Sequence, residues 1–429
     1  MRTGARAAAA MEILTDMEAR KRPAADAIKD WALSHRFAGS KDRSAIGDLV
    51  FGALRWKASS AWRMDSDAPR ALVWGAERWG FGKAAADITA ECADDPHAPP
   101  PPNEAELQAL AQGELINAPP HVRGDYPEWL DQSLARAFGD ARAEEGAGLA
   151  APAPLDLRAN ALKTTREKLI EALSQSARLA EPPEATRFAP MGVRIPWRLG
   201  RNFPWATEQS FTKGWFEVQD EGSQLAAHLA GAEPGMQIAD VCAGGGGKTL
   251  ALAAMMQNKG QIYAHDVDGR RLAPIRERLD RAGARNVQIR PPTRAGDALA
   301  DLAGRMDVVL VDAPCTGSGT WRRAPDAKWR LRPNALELRL REQREALALA
   351  APLVKPGGRL VYVTCSILPE ENEDQIAAFM AANIDFRAEP LAAEEAVRAA
   401  SSARGEALQW TPLRTGTDGF FIAALRHRA

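Results

Sequence analysis

Residues 1 to about 140 carry their hydrophobic positions at helical spacing. In "KDRSAIGDLVFGALRW" the side chains Ile46, Leu49, Val50 and Leu54 share one helical face. "YPEWLDQSLARAFG" puts Pro127 at a helix start and Gly139 at its end, with Leu130, Leu134 and Phe138 on one side. Between these stretches lies "DDPHAPPPPNEAE". Proline offers no amide donor and crowds the preceding turn, so this run reads as an exposed loop. From 155 to about 215 the pattern becomes that of a small α/β unit. "LDLRAN" alternates as a strand does, and "TTREKLIEAL" follows, with Thr164 and Glu167 spaced as a capping box.

From about 216, strands and helices alternate to the end of the chain. "MQIADVC" reads as a buried strand followed by glycines. Then come "QIYAHDV" as a strand, "RRLAPIRERLDRAG" as a helix with Leu272, Ile275 and Leu279 on one face, and "NVQIRP" and "MDVVLVDAP" as strands. A long helix through Leu353, the strand "GRLVYVTC" and a last strand "GFFIAALR" complete the series. This rhythm predicts a doubly wound, largely parallel α/β sheet, whose ligands gather at the carboxyl ends of its strands.

Composition narrows the class. The 429 residues are 45% hydrophobic and 26% charged, with a net charge of -1, as in an ordinary globular protein of two or three domains. No stretch approaches the roughly 20 apolar residues that span a bilayer, so no membrane association is expected. "MRTGARAAAAMEILTDMEARKR" begins like a signal peptide, but Glu12 and Asp16 interrupt it, and it reads as the first helix of a cytoplasmic protein. Cys92, Cys242, Cys315 and Cys365 are too few for a disulfide framework, and none forms a CxxC pair, so no metal site is expected. The near-neutral charge excludes a globally basic nucleic-acid binder but leaves local basic faces open.

The glycine loop "DVCAGGGGKT" follows the first strand of the alternating region. Glycine lets a backbone approach a ligand and frees amides at a helix start. A phosphate-binding P-loop would need glycine where Cys242 stands, and a dinucleotide fingerprint is met only loosely by a glycine run. Asp266, about 20 residues further on, ends the second strand, where a carboxylate can reach ribose hydroxyls. Asp297 follows the third strand and Asp312 ends the fourth. Three acids at successive strand ends suit an adenosine cofactor with a positive reacting centre, S-adenosylmethionine, at least as well as a pyrophosphate.

A cysteine at the end of a buried strand is ordinarily a small core residue. Here "VDAPCTGSGT" carries Cys315 and "VYVTCSILPEEN" carries Cys365, at the ends of the fourth and fifth strands. A methyl donor and two thiols belong together in one chemistry. Carbon 5 of cytosine is a poor nucleophile until a thiolate adds at carbon 6, and a second thiol can assist release. Pro369 stands at a first helical position close to Cys365, a setting that favours thiolate. Methyltransferases acting on amino nitrogens carry D-P-P-Y or N-P-P-Y where this chain reads D-A-P-C, which favours carbon methylation.

With "FEVQDEGSQLAAHL", "DVCAGGGGKT", "VDAPCTGSGT", "VYVTCSILPEENE" and "GTDGFFIAAL", the chain resembles the Nop/Sun family of RNA cytosine-5 methyltransferases. Within that family it is similar to the bacterial type that acts on small-subunit ribosomal RNA. The resemblance is strong over 216–429. "KDRSAIGDLVFGALRW" is similar to that type's N-terminal helical segment. It implies a Rossmann-like S-adenosylmethionine-dependent methyltransferase domain over 216–429, an all-α NusB-like RNA-binding domain over 1–145 and a small α/β linking domain over 150–215. It also implies Cys365 as nucleophile and Cys315 as the residue that assists release. The cofactor would lie on Cys242, Ala243, Gly244, Gly245, Gly246, Gly247 and Lys248 and touch Asp266, Asp297 and Asp312. The family's usual loop reads C-A-A-P-G-G-K; here glycine replaces an alanine and the proline.

The implied partner is RNA, ribosomal rather than transfer RNA by analogy with the helical segment. Directly after the Cys315 loop, "TWRRAPDAKWRLRPNALELRLREQRE" offers Arg322, Arg323, Lys328, Arg330 and Arg332 as phosphate contacts. A second basic-aromatic stretch runs through Arg194, Trp197, Arg198, Arg201, Phe203, Trp205, Phe211, Lys213 and Trp215. It suits either RNA stacking or packing onto the next domain. A target base must leave any stack to reach two thiols.

Overall fold

The computed structural model describes residues 1–93, 95–293, 298–403 and 405–429. They form two units, one of Met1–Ala151 with Trp321–Leu331, the other of Pro152–Thr320 with Arg332–Ala429.

The first unit is helical. Its opening helix, Thr3–Arg20, buries Ala7, Ala10, Ile13, Leu14 and Met17. The helix Ser40–Arg55 turns Ile46, Leu49, Val50, Ala53 and Leu54 inward, the face its periodicity predicts. Trp74 and Leu72 complete this core. The proline run lies between the helices Ala85–Ala93 and Glu104–Gln112. Asn103 ends it as a helix cap, accepting from the Glu106 amide at 2.9 Å, while Glu106 accepts from the Asn103 amide.

The segment Trp321–Leu331 is packed within this helical unit. The last carbonyls of a helix have no partner inside it. At the end of Ser40–Arg55, Trp329 Nε1 donates to the Leu54 carbonyl at 2.6 Å and Lys328 Nζ to the Arg55 carbonyl at 2.8 Å. Lys328 is 1% exposed; burial lowers its ammonium to about 7, against the attraction of Asp125. This corrects the basic surface read from the sequence. Lys328 and Arg322 are interior side chains, whereas Arg323 and Arg330 are exposed, and Arg330 pairs with Asp326 at 3.1 Å.

The second unit holds two sheets. The smaller is antiparallel, from β1 (Leu155–Ala159), β2 (Glu184–Ala185), β3 (Gly192–Ile195) and β4 (Phe216–Val218), in the order β2-β3-β1-β4. Its core of Leu157, Leu169, Leu173, Val193 and Ile195 takes in Phe203 and Phe216, with Trp205, Phe211 and Trp215 against it. Trp205 and Trp215 of the second basic-aromatic stretch therefore pack. Arg194 there is bonded to Asp156 at 2.7 Å. The adjoining helix starts one residue later than the capping-box spacing predicts. Thr164 closes a turn onto Asn160, leaving Thr165 to cap, with its hydroxyl accepting from the Lys168 amide.

The larger sheet contains β5 (Gln237–Asp240), β6 (Gln261–His265), β7 (Val287–Arg290), β8 (Met306–Asp312), β9 (Val354–Thr364), β10 (Phe386–Glu389), β11 (Leu408–Trp410) and β12 (Phe420–His427). The order is β10-β12-β9-β8-β5-β6-β7, with β11 also on β12. β5 to β9 run parallel; β12 is antiparallel to β9, β10 and β11. After β7 the chain crosses back to lay β8 on the other side of β5, so the strand order reverses between them. In doubly wound sheets that reversal opens a crevice at the carboxyl ends of the strands.

Two helices depart from the sequence expectation, both at proline. The helix over 270–283 is broken at Pro274 into Gly269–Leu272 and Ile275–Ala282. The long helix before β9 is Pro333–Ala350, preceded by the separate Pro325–Arg330. Arg332 stands before Pro333 and is extended, at φ −129 and ψ 156, as the residue before a proline prefers.

Candidate active site

The glycine loop leaves β5 and enters the helix Gly247–Met255. Gly246 sits at φ 82, and a Cβ there would meet Ile275 at 2.6 Å, so the turn demands glycine. The loop is anchored from behind. The Ala243 amide donates to the His265 carbonyl at 2.8 Å, and the Gly244 amide to Asp266 at 3.0 Å. Arg278 donates to the Gly245 carbonyl at 2.6 Å and Arg158 to the Gly247 carbonyl at 2.8 Å. These two arginines were not foreseen, because no local motif ties them to the loop. Arg158 comes from the small sheet, and burial lowers its guanidinium to about 10.

Asp266 is 1% exposed at the end of β6, where it also accepts from the Asp268 amide at 2.9 Å and faces Arg271 at 3.2 Å. Lys248 spans from the loop to Asp312 at the end of β8, with Nζ to Oδ2 at 2.7 Å, and its ammonium lies 5.3 Å from the Phe420 ring. Tied to a carboxylate, it is not presented as a P-loop lysine. Asp240, at the end of β5, accepts from Thr249 at 2.7 Å; its second oxygen, Oδ1, is buried without a hydrogen-bond partner. Burial first, then nearby Asp312, pushes this carboxyl up to about 7. Asp297 lies outside the described residues.

A donor set of loop backbone, Asp266 and the orphaned oxygen of Asp240 fits an adenosine ligand with a cationic part. The loop would meet its amino-acid portion and Asp266 its ribose. Two results follow. Asp266→Ala is expected to weaken S-adenosylmethionine binding by about 10- to 100-fold, as for loss of a charged hydrogen-bond partner worth about 1.5–3 kcal/mol; calorimetric titration measures it. Binding is also expected to tighten as pH rises through about 7, because ionised Asp240 attracts a cation that its neutral form does not. Asp240→Asn flattens that pH dependence.

The thiols meet at the neighbouring ends of β8 and β9. Register pairs Asp312 with Val363, and the Ala313 amide donates to the Val363 carbonyl at 2.8 Å. Cys315 and Cys365 follow at the same level, with their sulfurs 3.3 Å apart and both half-buried. The hydrogen bond to Cys365, then burial, then the charges of Cys365 and Glu371 raise the Cys315 thiol. Cys242 is not part of this pair, and burial raises its thiol too.

Backbone contacts fix the two loops. The Gly319 amide donates to the Cys365 carbonyl at 3.0 Å, and the Gly419 amide to the Gly319 carbonyl at 2.8 Å. A Cβ on Gly319 would lie 2.1 Å from the Gly419 carbonyl oxygen, an atom that cannot move aside cheaply. Gly319→Ala is therefore expected to cost about 1–3 kcal/mol of stability, seen in denaturant unfolding. No sequence motif marks this contact, because it joins glycines from separate loops.

The chain is similar to the family described as 16S rRNA methyltransferase RsmB/F over residues 227–426. The probable ribosomal RNA small subunit methyltransferase B of Synechocystis sp. is 36% identical over 304 residues, 70% of this chain and 66% of that one. The ribosomal RNA small subunit methyltransferase B of Pseudomonas syringae pv. tomato is 30% identical over 408 residues, 90% of this chain and 89% of that one. Among solved structures, a methyltransferase homolog protein from Pyrococcus horikoshii is 29% identical, with a TM-score of 0.58 over 72% of this chain and 97% of that one. Among the described residues no helix is long and apolar enough to cross a membrane, and no group of acidic, histidine and cysteine side chains could hold a metal.

Proposed function

Since the chain belongs to the RsmB/F family of S-adenosylmethionine-dependent methyltransferases, we propose that it methylates carbon 5 of a cytosine in small-subunit ribosomal RNA through a covalent adduct on Cys365. The observation that carries this reading is the pair of sulfurs 3.3 Å apart, at neighbouring strand ends in the sheet that bears the glycine loop. Such a pair suits a reaction with two sulfur roles on one base.

Bound S-adenosylmethionine supplies a methyl group on a sulfonium, which carbon 5 takes once it is nucleophilic. Cys365 creates that nucleophile by adding its thiolate to carbon 6. Cys315 then removes the carbon 5 proton; the electrons re-form the C5–C6 double bond, the C6–S bond breaks, and Cys365 recovers its electron pair. The influences that raise the Cys315 thiol suit this order of events. Its proton is held chiefly by the hydrogen bond to Cys365. Once Cys365 is bonded to carbon 6 it carries no charge and that hold is released; Cys315 gives its own proton to solvent, and the resulting thiolate acts as base. Asp312, oriented by Lys248, holds the polar edge of the base.

The helical unit serves as a NusB-like RNA-binding module and the small antiparallel sheet as a linking domain, with functional divisions at 1–145, 150–215 and 216–429, the last without Trp321–Leu331, which pack in the helical unit. Arg323 and Arg330 remain as phosphate contacts, and the buried Lys328 and Arg322 do not. The protein then works in the cytoplasm, where ribosomal RNA is assembled.

The test supplies unmodified small-subunit ribosomal RNA and transfer RNA with isotopically labelled S-adenosylmethionine and digests the product to nucleosides. Label in 5-methylcytidine from ribosomal RNA supports the reading. Label in another nucleoside, or in transfer RNA alone, overturns it.

A further inference from the structure

Beneath the two thiols lies a fully buried acid that the proposed chemistry leaves unused. Glu371 belongs to the turn Pro369–Glu371 that follows the Cys365 loop. One carboxylate oxygen accepts from the Thr316 amide at 2.8 Å and from Gln343 Nε2 at 3.0 Å. The other accepts from the hydroxyls of Thr316 and Ser366. Thr316 directly follows Cys315, and Ser366 directly follows Cys365. A single carboxylate thus joins the two thiol-bearing loops. Gln343 extends the joint by donating also to the Pro314 carbonyl at 3.0 Å, so both neighbours of Cys315 are held.

The acid is itself located by its surroundings. The Tyr362 hydroxyl donates to the Glu371 carbonyl at 2.7 Å, and Asn372 donates to the Ser366 carbonyl at 2.9 Å and accepts from Thr364 at 2.6 Å. A buried carboxyl costs free energy unless each lone pair finds a donor. An alanine or a hydrophobic side chain would fill this place more cheaply if packing were the only need. Four donors drawn from both thiol loops and the helix Pro333–Ala350 mark a joint instead.

We propose that Glu371 is a positioning residue for the methyl-transfer reaction, holding the Cys315 and Cys365 loops so that both sulfurs address one base. This rests on the cytosine-5 reading for its consequence but not for its geometry. The charge has a second effect. Burial raises the Glu371 carboxyl, its four donors oppose that, and its negative charge adds to the influences that raise the Cys315 thiol.

The test compares wild type, Glu371→Ala and Glu371→Gln in the full chain. Diamide joins two adjacent thiols as a disulfide while it is reduced to the hydrazine, so its rate reports sulfur proximity without any RNA. A displacement of about 1 Å can cost on the order of 10²-fold in a positioned reaction. Glu371→Ala is expected to slow Cys315–Cys365 crosslinking at least tenfold and to lower kcat for methyl transfer, with the KM for S-adenosylmethionine unchanged. Glu371→Gln is expected to rescue crosslinking, since its carbonyl oxygen can still accept from Thr316 and Gln343 and its amide can donate to two rotated hydroxyls. Wild-type crosslinking in folded Glu371→Ala overturns the proposal. If that variant does not fold, Thr316→Val removes one arm alone and should slow crosslinking in the same direction; an unchanged rate overturns the proposal. Slowed crosslinking in a protein that methylates no cytosine would support the joint and defeat the reaction assigned above.

Discussion

Cys315→Ala is expected to turn the protein into a trap that stays covalently attached to its RNA through denaturation. The reasoning lies in the division of labour between the sulfurs. Cys365 can still add to carbon 6, and the methyl group can still be transferred, because neither step uses the second thiol. What is lost is the base that removes the carbon 5 proton. Without it the C5–C6 double bond does not re-form and the sulfur stays bonded. Positioned acid–base groups contribute about 10²- to 10⁴-fold, so turnover should fall by about that much while one equivalent of RNA is retained. On a denaturing gel the variant, with S-adenosylmethionine and substrate RNA, should run as a slow nuclease-sensitive band. Wild type should show little of it. Cysteine alone at this position should restore release; Cys315→Ser, a far weaker acid, should also trap.

Cys365→Ala should behave in the opposite way, with no adduct and methyl transfer down by on the order of 10⁴-fold or more, as when a covalent nucleophile is removed. Carbon 5 then has no enamine character, and nothing else in the site supplies it. Cofactor affinity should be unchanged, because the glycine loop and Asp266 are bonded to each other and to His265, Arg158 and Arg278, not to Cys365. Equal calorimetric titrations beside a dead methyl-transfer assay would separate loss of chemistry from loss of folding. A double variant, Cys315→Ala with Cys365→Ala, should form no adduct, since trapping requires the nucleophile.

The parts of this site that could be read from the sequence are those set by chain-local rules. Alternating strands and helices predict a parallel doubly wound sheet, and such a sheet brings the ends of its strands to one edge. Asp266, Asp312, Cys315 and Cys365 all stand at such ends, so their convergence follows from topology before any coordinate is known. Gly246 is legible for a similar reason, since a run of glycines at a strand-to-helix turn announces a left-handed backbone.

What could not be read depends on contacts between distant parts of the chain. Lys328 looks like a surface cation in a basic stretch, yet it ends buried on the Arg55 carbonyl, because the last carbonyls of an early helix lack partners inside it. Arg158 and Arg278 resemble ordinary surface arginines until a strand of the small sheet and the helix Ile275–Ala282 bring them to the glycine carbonyls. Glu371 is one acid among several in "PEENE", and only the fold shows that its four donors come from the thiol loops and a helix. The antiparallel placing of β12 between β9 and β10 is equally silent in sequence, because an alternating apolar strand does not state its direction.

The most direct measurement of the central claim is peptide mass spectrometry of the adduct trapped by Cys315→Ala after nuclease and protease digestion. The account predicts one modified peptide, containing Cys365 and carrying a nucleotide whose cytosine has gained a methyl group. A nucleotide on any other residue, or no modified peptide from a variant that still transfers methyl groups to RNA, would contradict it.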